Sequence, residues 1–168
     1  MKKKIVPFAL GLMAISFVYL RMRQIVVRPV APETERPPLN LPLIKEEQEL
    51  VELQIGSARV RVEIADTIAK QQQGLSDRAG LPKDQGMYFP MGGPSRHTFW
   101  MQRMNFPLDV LWIRDGRIVD ISENVPQPKP GEQPVTMSPK DPADAVLEVN
   151  TDFTEKHGVK IGDTIDML

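Results

Sequence analysis

Val51, Leu53 and Ile55 alternate with Glu52 and Gln54, and Val60, Val62 and Ile64 alternate with Arg61 and Glu63. Successive strand side chains point to opposite faces, so this period-two pattern on both sides of Gly56-Ser57 predicts a hairpin. Asp66 is placed to cap a helix from Thr67 to Ser76, with Gly74 near its end. Gly80-Leu81-Pro82 marks a loop, and Met87-Tyr88-Phe89 reads as a short strand closed by Pro90. Two apolar runs follow, Thr98 to Met101 and Leu108 to Ile113. Asp115-Gly116 predicts a tight turn into Ile118–Ile121, a second hairpin. Residues 124–142 carry six prolines and no periodicity, which predicts a long surface loop. Ala145 to Val149 is a further apolar strand, Thr151 to His157 a short helix, and Ile165 to Leu168 a last strand. The expected fold class is mainly β (α+β): a small, barrel-like antiparallel sheet with two short helices.

The first 47 residues follow a different logic. Met1-Lys2-Lys3-Lys4 precedes an uncharged stretch from Ile5 to Leu20, which Arg21-Met22-Arg23 ends. No Ala-x-Ala-like cleavage site follows Leu20, so residues 1–24 read as an uncleaved signal anchor, with cleaved export the alternative. At 1.5 Å per residue the stretch spans about 24 Å, short of the hydrocarbon core, and flanking Lys and Arg can snorkel across the difference. Residues 25–47 include Pro29, Pro32, Pro37, Pro38 and Pro42 among polar residues, a composition that forms an extended spacer. The expected organisation is anchor (1–24), linker (25–47) and β-rich domain (48–168). The domain is expected outside the cytoplasm, in the periplasm or at the cell exterior, because the order of basic and apolar regions is that of exported proteins.

Charge sharpens this division. Residues 1–47 hold eight Lys/Arg against four Asp/Glu, whereas 48–168 hold 13 against 18. An acidic domain lacks the phosphate-neutralising surface of general nucleic-acid binders, so no nucleic-acid partner is expected. The chain has no cysteine, which excludes thiol catalysis, thiolate-zinc sites and disulfides.

Chemistry is sparse. Asp109 interrupts the apolar run Leu108–Ile113, and an unpaired buried carboxylate there would cost several kcal/mol. It must face solvent, accept hydrogen bonds, or act as an acid, base or ligand contact in a cleft. Ser95, His97 and Asp109 are residue types of a nucleophile–base–orienter set, but Gly92-Gly93-Pro94-Ser95-Arg96 is no nucleophile elbow. Met87, Met91, His97, Met101 and Met104 supply donors suited to Cu(I), although Met beside aromatics is ordinary core filler. Phe99 and Trp100 face opposite ways in a strand, so one of them is placed to meet a sugar or peptide. Phosphate loops, spaced carboxylate pairs and His-x-x-x-His patterns are missing, so neither a cofactor nor a dedicated metal site is expected.

Five segments occur in a familiar order: Gln73-Gly74-Leu75-Ser76-Asp77-Arg78, Gly86-Met87-Tyr88-Phe89, Phe99-Trp100-Met101, Phe106-Pro107-Leu108-Asp109-Val110 and Gly158 to Asp163. The chain resembles the bacterial and archaeal family called domain of unknown function 192. That resemblance implies a compact, mainly β, barrel-like fold, often behind a signal peptide, and no established reaction. The family pattern continues Trp-Met with Lys-Asn-Thr, whereas Gln102-Arg103-Met104 stands here, so no role of that Asn-Thr pair transfers. The ligand-contact candidates are Asp109, Trp100, His97, Met101 and Arg103. The leading expectation is a membrane-tethered ligand-binding or protein-interaction module. The alternatives are a small hydrolase-like enzyme using Asp109 and His97, and a Met/His copper protein.

Overall fold

The computed structural model describes residues 49–168; the expected anchor and linker lie outside them. Strands β1 (Val51–Ile55) and β2 (Ala58–Ile64) form the first predicted hairpin, turning at Gly56 with φ +55°. Helix α1 (Ile68–Gln73) leads to β3 (Gln85–Ser95), and β4 (Phe99–Trp100) follows. Strands β5 (Leu108–Arg114) and β6 (Arg117–Val125) make the second hairpin. Its two turn residues, Asp115 and Gly116, both take positive φ, as the tight primed turn requires. Then come β7 (Thr136–Met137), β8 (Ala143–Asn150), helix α2 (Phe153–His157) and β9 (Ile165–Met167). The result is mainly β, with two short helices and a seven-stranded sheet ordered β6-β5-β8-β3-β2-β1-β9.

The sheet curls into a half-barrel whose outer strands meet at one end. Arg117 bridges Thr164, and Ile118 and Asp163 are joined by a 3.0 Å backbone bond. At the other end of β5, α2 follows β8 directly, and Phe153 and Val159 enter the inner core with Leu53, Val60, Leu111 and Leu147. The outer face is also covered. There Leu75, Met87, Phe89, Met101, Met104, Val110, Trp112 and Val146 form a second core. Phe99 holds the small β4–β7 ribbon against the sheet by edge-on contacts with Phe89 (5.2 Å) and Trp112 (5.5 Å). Burial on both faces explains why β5 and β8 read as unbroken apolar runs and not as alternating ones.

Four local expectations are corrected. The cap of α1 is Thr67, whose hydroxyl accepts the Lys70 N–H at 3.2 Å; Asp66 instead pairs with the Lys70 ammonium. Pro90 does not end β3, because the strand passes through it into an irregular stretch where ladder pairing lapses until Ser95. The 124–142 segment is not wholly loop: β6 reaches Val125, and β7 pairs with β4, a contact that periodicity within the segment does not encode. Finally, β2 and β3 run parallel, since α1 and the loop after it carry the chain back across the sheet; every other pair is antiparallel.

Candidate functional site

Register brings three charged residues outside the sequence-derived candidates to one place. Glu63 on β2 pairs with Met87 on β3, which pairs with Glu148 on β8, which pairs with Val110 on β5. Residues paired across neighbouring strands share a face, so both glutamates lie in one row on the outer face. Arg78, from the segment after α1, reaches this row and grips Glu63 with both terminal guanidinium nitrogens, one of them at 2.8 Å. Glu148 is only 8% exposed, and its side chain makes no hydrogen bond or ion pair among the described residues. Burial pushes its carboxyl up to about 8, against a weaker downward pull from Arg78. The Arg78 guanidinium is held protonated still more firmly by its bond to Glu63.

Glycine fixes the geometry of this row. A Cβ on Gly86 would stand 2.6 Å from the Glu148 carbonyl oxygen, so β3 approaches β8 this closely only with glycine there. Gly74, at φ +50°, ends α1 and donates its N–H to the Lys70 carbonyl at 2.7 Å. The segment beyond it docks on the chain after β4. Ser76 Oγ donates to the Gln102 carbonyl and the Asp77 N–H to the Arg103 carbonyl, each at 2.9 Å, and Asn105 Nδ2 donates to the Arg78 carbonyl. Two of the segments behind the family resemblance, Gln73–Arg78 and Phe99–Met101, thereby border the same space.

That space is a cleft on both sides of Gly74. A cavity of about 330 Å³ is lined by Glu148 and Phe89, by Phe99, Trp100, Met91 and Met104, and by the end of α1. A second cavity, of about 820 Å³, shares Gln73 and Gly74 with it and contains Glu63, Arg78 and Met87. Aromatic and sulfur-bearing walls around one desolvated acid suit a small ligand with an apolar body and a single polar end.

The sequence-derived candidates separate. Trp100 is 57% exposed and lines the smaller cavity, while its neighbour Phe99 turns inward. Met101 is buried in the outer core, with Met87 and Met104, as packing. Arg103 holds Asp77 in an exposed ion pair at 2.9 Å. His97 places Nε2 3.1 Å from the Gly93 carbonyl, within its own turn. Asp109 is fully buried on the inner face and accepts from Asn124 N at 2.8 Å, Thr154 N at 3.0 Å and Thr154 Oγ1 at 2.8 Å. Both its oxygens are thus engaged with β6 and the first turn of α2, and no hydrogen bond joins Ser95, His97 and Asp109. Among the described residues no cluster of three or more His, Asp or Glu is arranged to hold a metal ion.

Glu148 was legible by the signal that drew attention to Asp109, a carboxylate inside an apolar run, here Ala-Val-Leu-Glu-Val. Glu63 carried no such signal, because it occupies an ordinary polar position of an alternating strand. Arg78 lies in the Gln73–Arg78 segment, but its reach onto β2 is a tertiary fact.

A curled β half-barrel with both sheet faces covered and a cleft on the outer face defines a small mainly β domain class. The chain belongs to the DUF192 family, described as "Uncharacterized ACR", whose pattern matches residues 51–167. It is similar to a crystal structure of a Sinorhizobium meliloti protein named as a candidate transcription regulator. That likeness has 29% identity and a TM-score of 0.64, over 71% of this chain and 95% of the other. It is also similar to a protein of unknown function from Novosphingobium aromaticivorans. There the identity is 30% and the TM-score 0.62, over 73% and 89% of the two chains. No curated protein matches the chain.

Proposed function

We propose that this protein is a ligand-binding module whose outer-face cleft receives a small molecule. Its N-terminal segment, as a transmembrane helix, and its proline-rich spacer would hold it at the outer side of the cell membrane. One observation carries the binding reading: a carboxyl group with no hydrogen-bond partner among the described residues, on a residue 8% exposed whose oxygens still reach solvent, forms part of the wall of a 330 Å³ cavity rimmed by an exposed tryptophan. Burying an acid in this way costs stability, and binding sites are where such a cost recurs. The anchor reading is supported by the basic-apolar-basic order of residues 1–24 and the prolines of 25–47. Among the described residues no helix is long and apolar enough to cross a membrane. The Sinorhizobium relative's naming suggests regulation at DNA, but the excess of acidic over basic residues in 48–168 disfavours contact with phosphates.

The test is a thermal-shift screen of the full-length chain in detergent against small aromatic cations, neutrals and anions. It is repeated on Ser76→Trp, which blocks the cleft. A stabilisation present in the native chain and lost in the blocked one supports the reading. Stabilisation that survives the block, or none with any class, overturns it. A reporter fused after Leu168 checks the topology: activity in the cytoplasm would place the domain on the other side.

A further inference from the structure

With Glu148 ionised, the charges around the cleft do not balance. Two carboxylates, Glu63 and Glu148, share a row, and one guanidinium, Arg78, stands over them. Arg78 is committed to Glu63 by two N–H bonds, so Glu148 receives only a longer-range attraction. Among the described residues, Glu148 is also the one charged residue lining the smaller cavity. The adjoining cavity repeats the imbalance, with Glu49, Glu63 and Asp66 against Lys70 and Arg78. On both sides of Gly74 the surplus is negative.

Resting on the binding reading above, we infer that the cleft takes a small organic monocation. Its amidinium, guanidinium or ammonium end pairs with Glu148, and its apolar body lies against Phe89, Phe99 and Trp100. A single added positive charge neutralises the row. Aromatic faces attract cations through their quadrupole, and the attraction strengthens where water is excluded. An anionic ligand would oppose ionisation of Glu148, and a neutral one would supply no counter-charge to its carboxylate.

Burial keeps the Glu148 acid protonated up to about pH 8, so binding exchanges one positive charge for another. The Glu148 carboxylic acid loses its proton to solvent, and the carboxylate left behind forms the ion pair with the incoming cation. The charged groups facing Glu148 are Arg78, from the segment after α1, and Glu63, from β2. The strands on either side present Met87 and Val110, and β4 presents aromatic rings.

The experiment is calorimetric titration of the full-length chain in detergent with benzamidinium, benzamide and benzoate, three probes of one shape and different charge. Benzamidinium keeps its charge from pH 6 to 9. The expected result is saturable binding of benzamidinium alone, tightening about tenfold from pH 7 to 9 as a group titrating at about 8 ionises. Glu148→Gln should weaken that binding at least tenfold at pH 9 and flatten its pH dependence; losing the acid should also leave the fold at least as stable. Should benzamide or benzoate bind as tightly and be lost in Ser76→Trp, the cation inference falls while the binding cleft stands. Binding indifferent to Glu148→Gln overturns the inference as well. If none of the three binds, the inference falls and the cleft loses its support.

Discussion

Asp109 and Glu148 stand one register step apart on adjacent strands, since Asp109 pairs with Val149 and Glu148 with Val110. Both are carboxylates embedded in apolar runs, and both are buried. They face opposite sides of the sheet, and this alone separates their chemistry. On the inner face Asp109 meets the exposed donors of a helix start and a strand bulge, and receives three hydrogen bonds. It supplies the cap that Asp152, the N-cap residue of α2, does not, since Asp152 makes no side-chain cap bond. On the outer face the Glu148 carboxyl receives no hydrogen bond among the described residues and opens into a cleft. A buried acid with its donors in place holds structure, and one without them is held ready for something else.

The sharpest way to break this contrast is to remove each acid in turn. Asp109→Ala strands three donors and should cost about 3–5 kcal/mol, seen as a lower denaturation midpoint with an unchanged slope. A loss below about 1 kcal/mol would show that these bonds do not hold α2 to the sheet. Glu148→Gln should act in the opposite direction. Its folded-state carboxyl titrates at about 8 against 4.5 when unperturbed, so the fold prefers the protonated form. Stability from this group is whole below about pH 4.5, drains as pH rises, and is fully lost above about 8. The glutamine variant should therefore match the native chain at pH 4 and exceed it at pH 9 by on the order of a few kcal/mol in thermal unfolding. A Glu148→Gln variant less stable than the native chain at pH 9 would place Glu148 with Asp109 as a structural acid.

Smaller effects refine the picture. Gly86→Ala drives a methyl against the Glu148 backbone and should cost about 1–3 kcal/mol, measured by denaturation. If it also weakens benzamidinium binding, the close β3–β8 approach positions the site as well as the sheet. Trp100→Ala should change stability by less than about 0.5 kcal/mol, because the side chain is largely exposed, yet weaken binding about two- to fivefold through the lost ring face. Arg103→Ala breaks an exposed pair with Asp77 and should cost under about 1 kcal/mol in the same unfolding assay, marking Arg103 as a loop brace.

Local pattern carried much of this fold. Both hairpins follow from period-two alternation and from turn residues able to take positive φ, and these are properties of a few neighbouring positions. The residue order of the five segments carried the family. The exposure of Trp100 against the inward Phe99 follows from strand geometry, although which of the two faced outward did not.

What periodicity could not supply was everything that depends on partners distant along the chain. The β4–β7 ribbon, the parallel β2–β3 pair, the continuation of β3 through Pro90 and the closure of β6 on β9 rest on contacts between segments tens of residues apart. The candidate site is of the same kind. Glu63, Arg78 and Glu148 lie in three separate elements, and only register places them together. By itself the sequence determined that Asp109 and Glu148 sit inside apolar strands, because composition along a strand is local. Which acid would find donors and which a cavity was decided by tertiary structure, because a buried carboxylate is defined by the groups packed around it and those come from elsewhere in the chain.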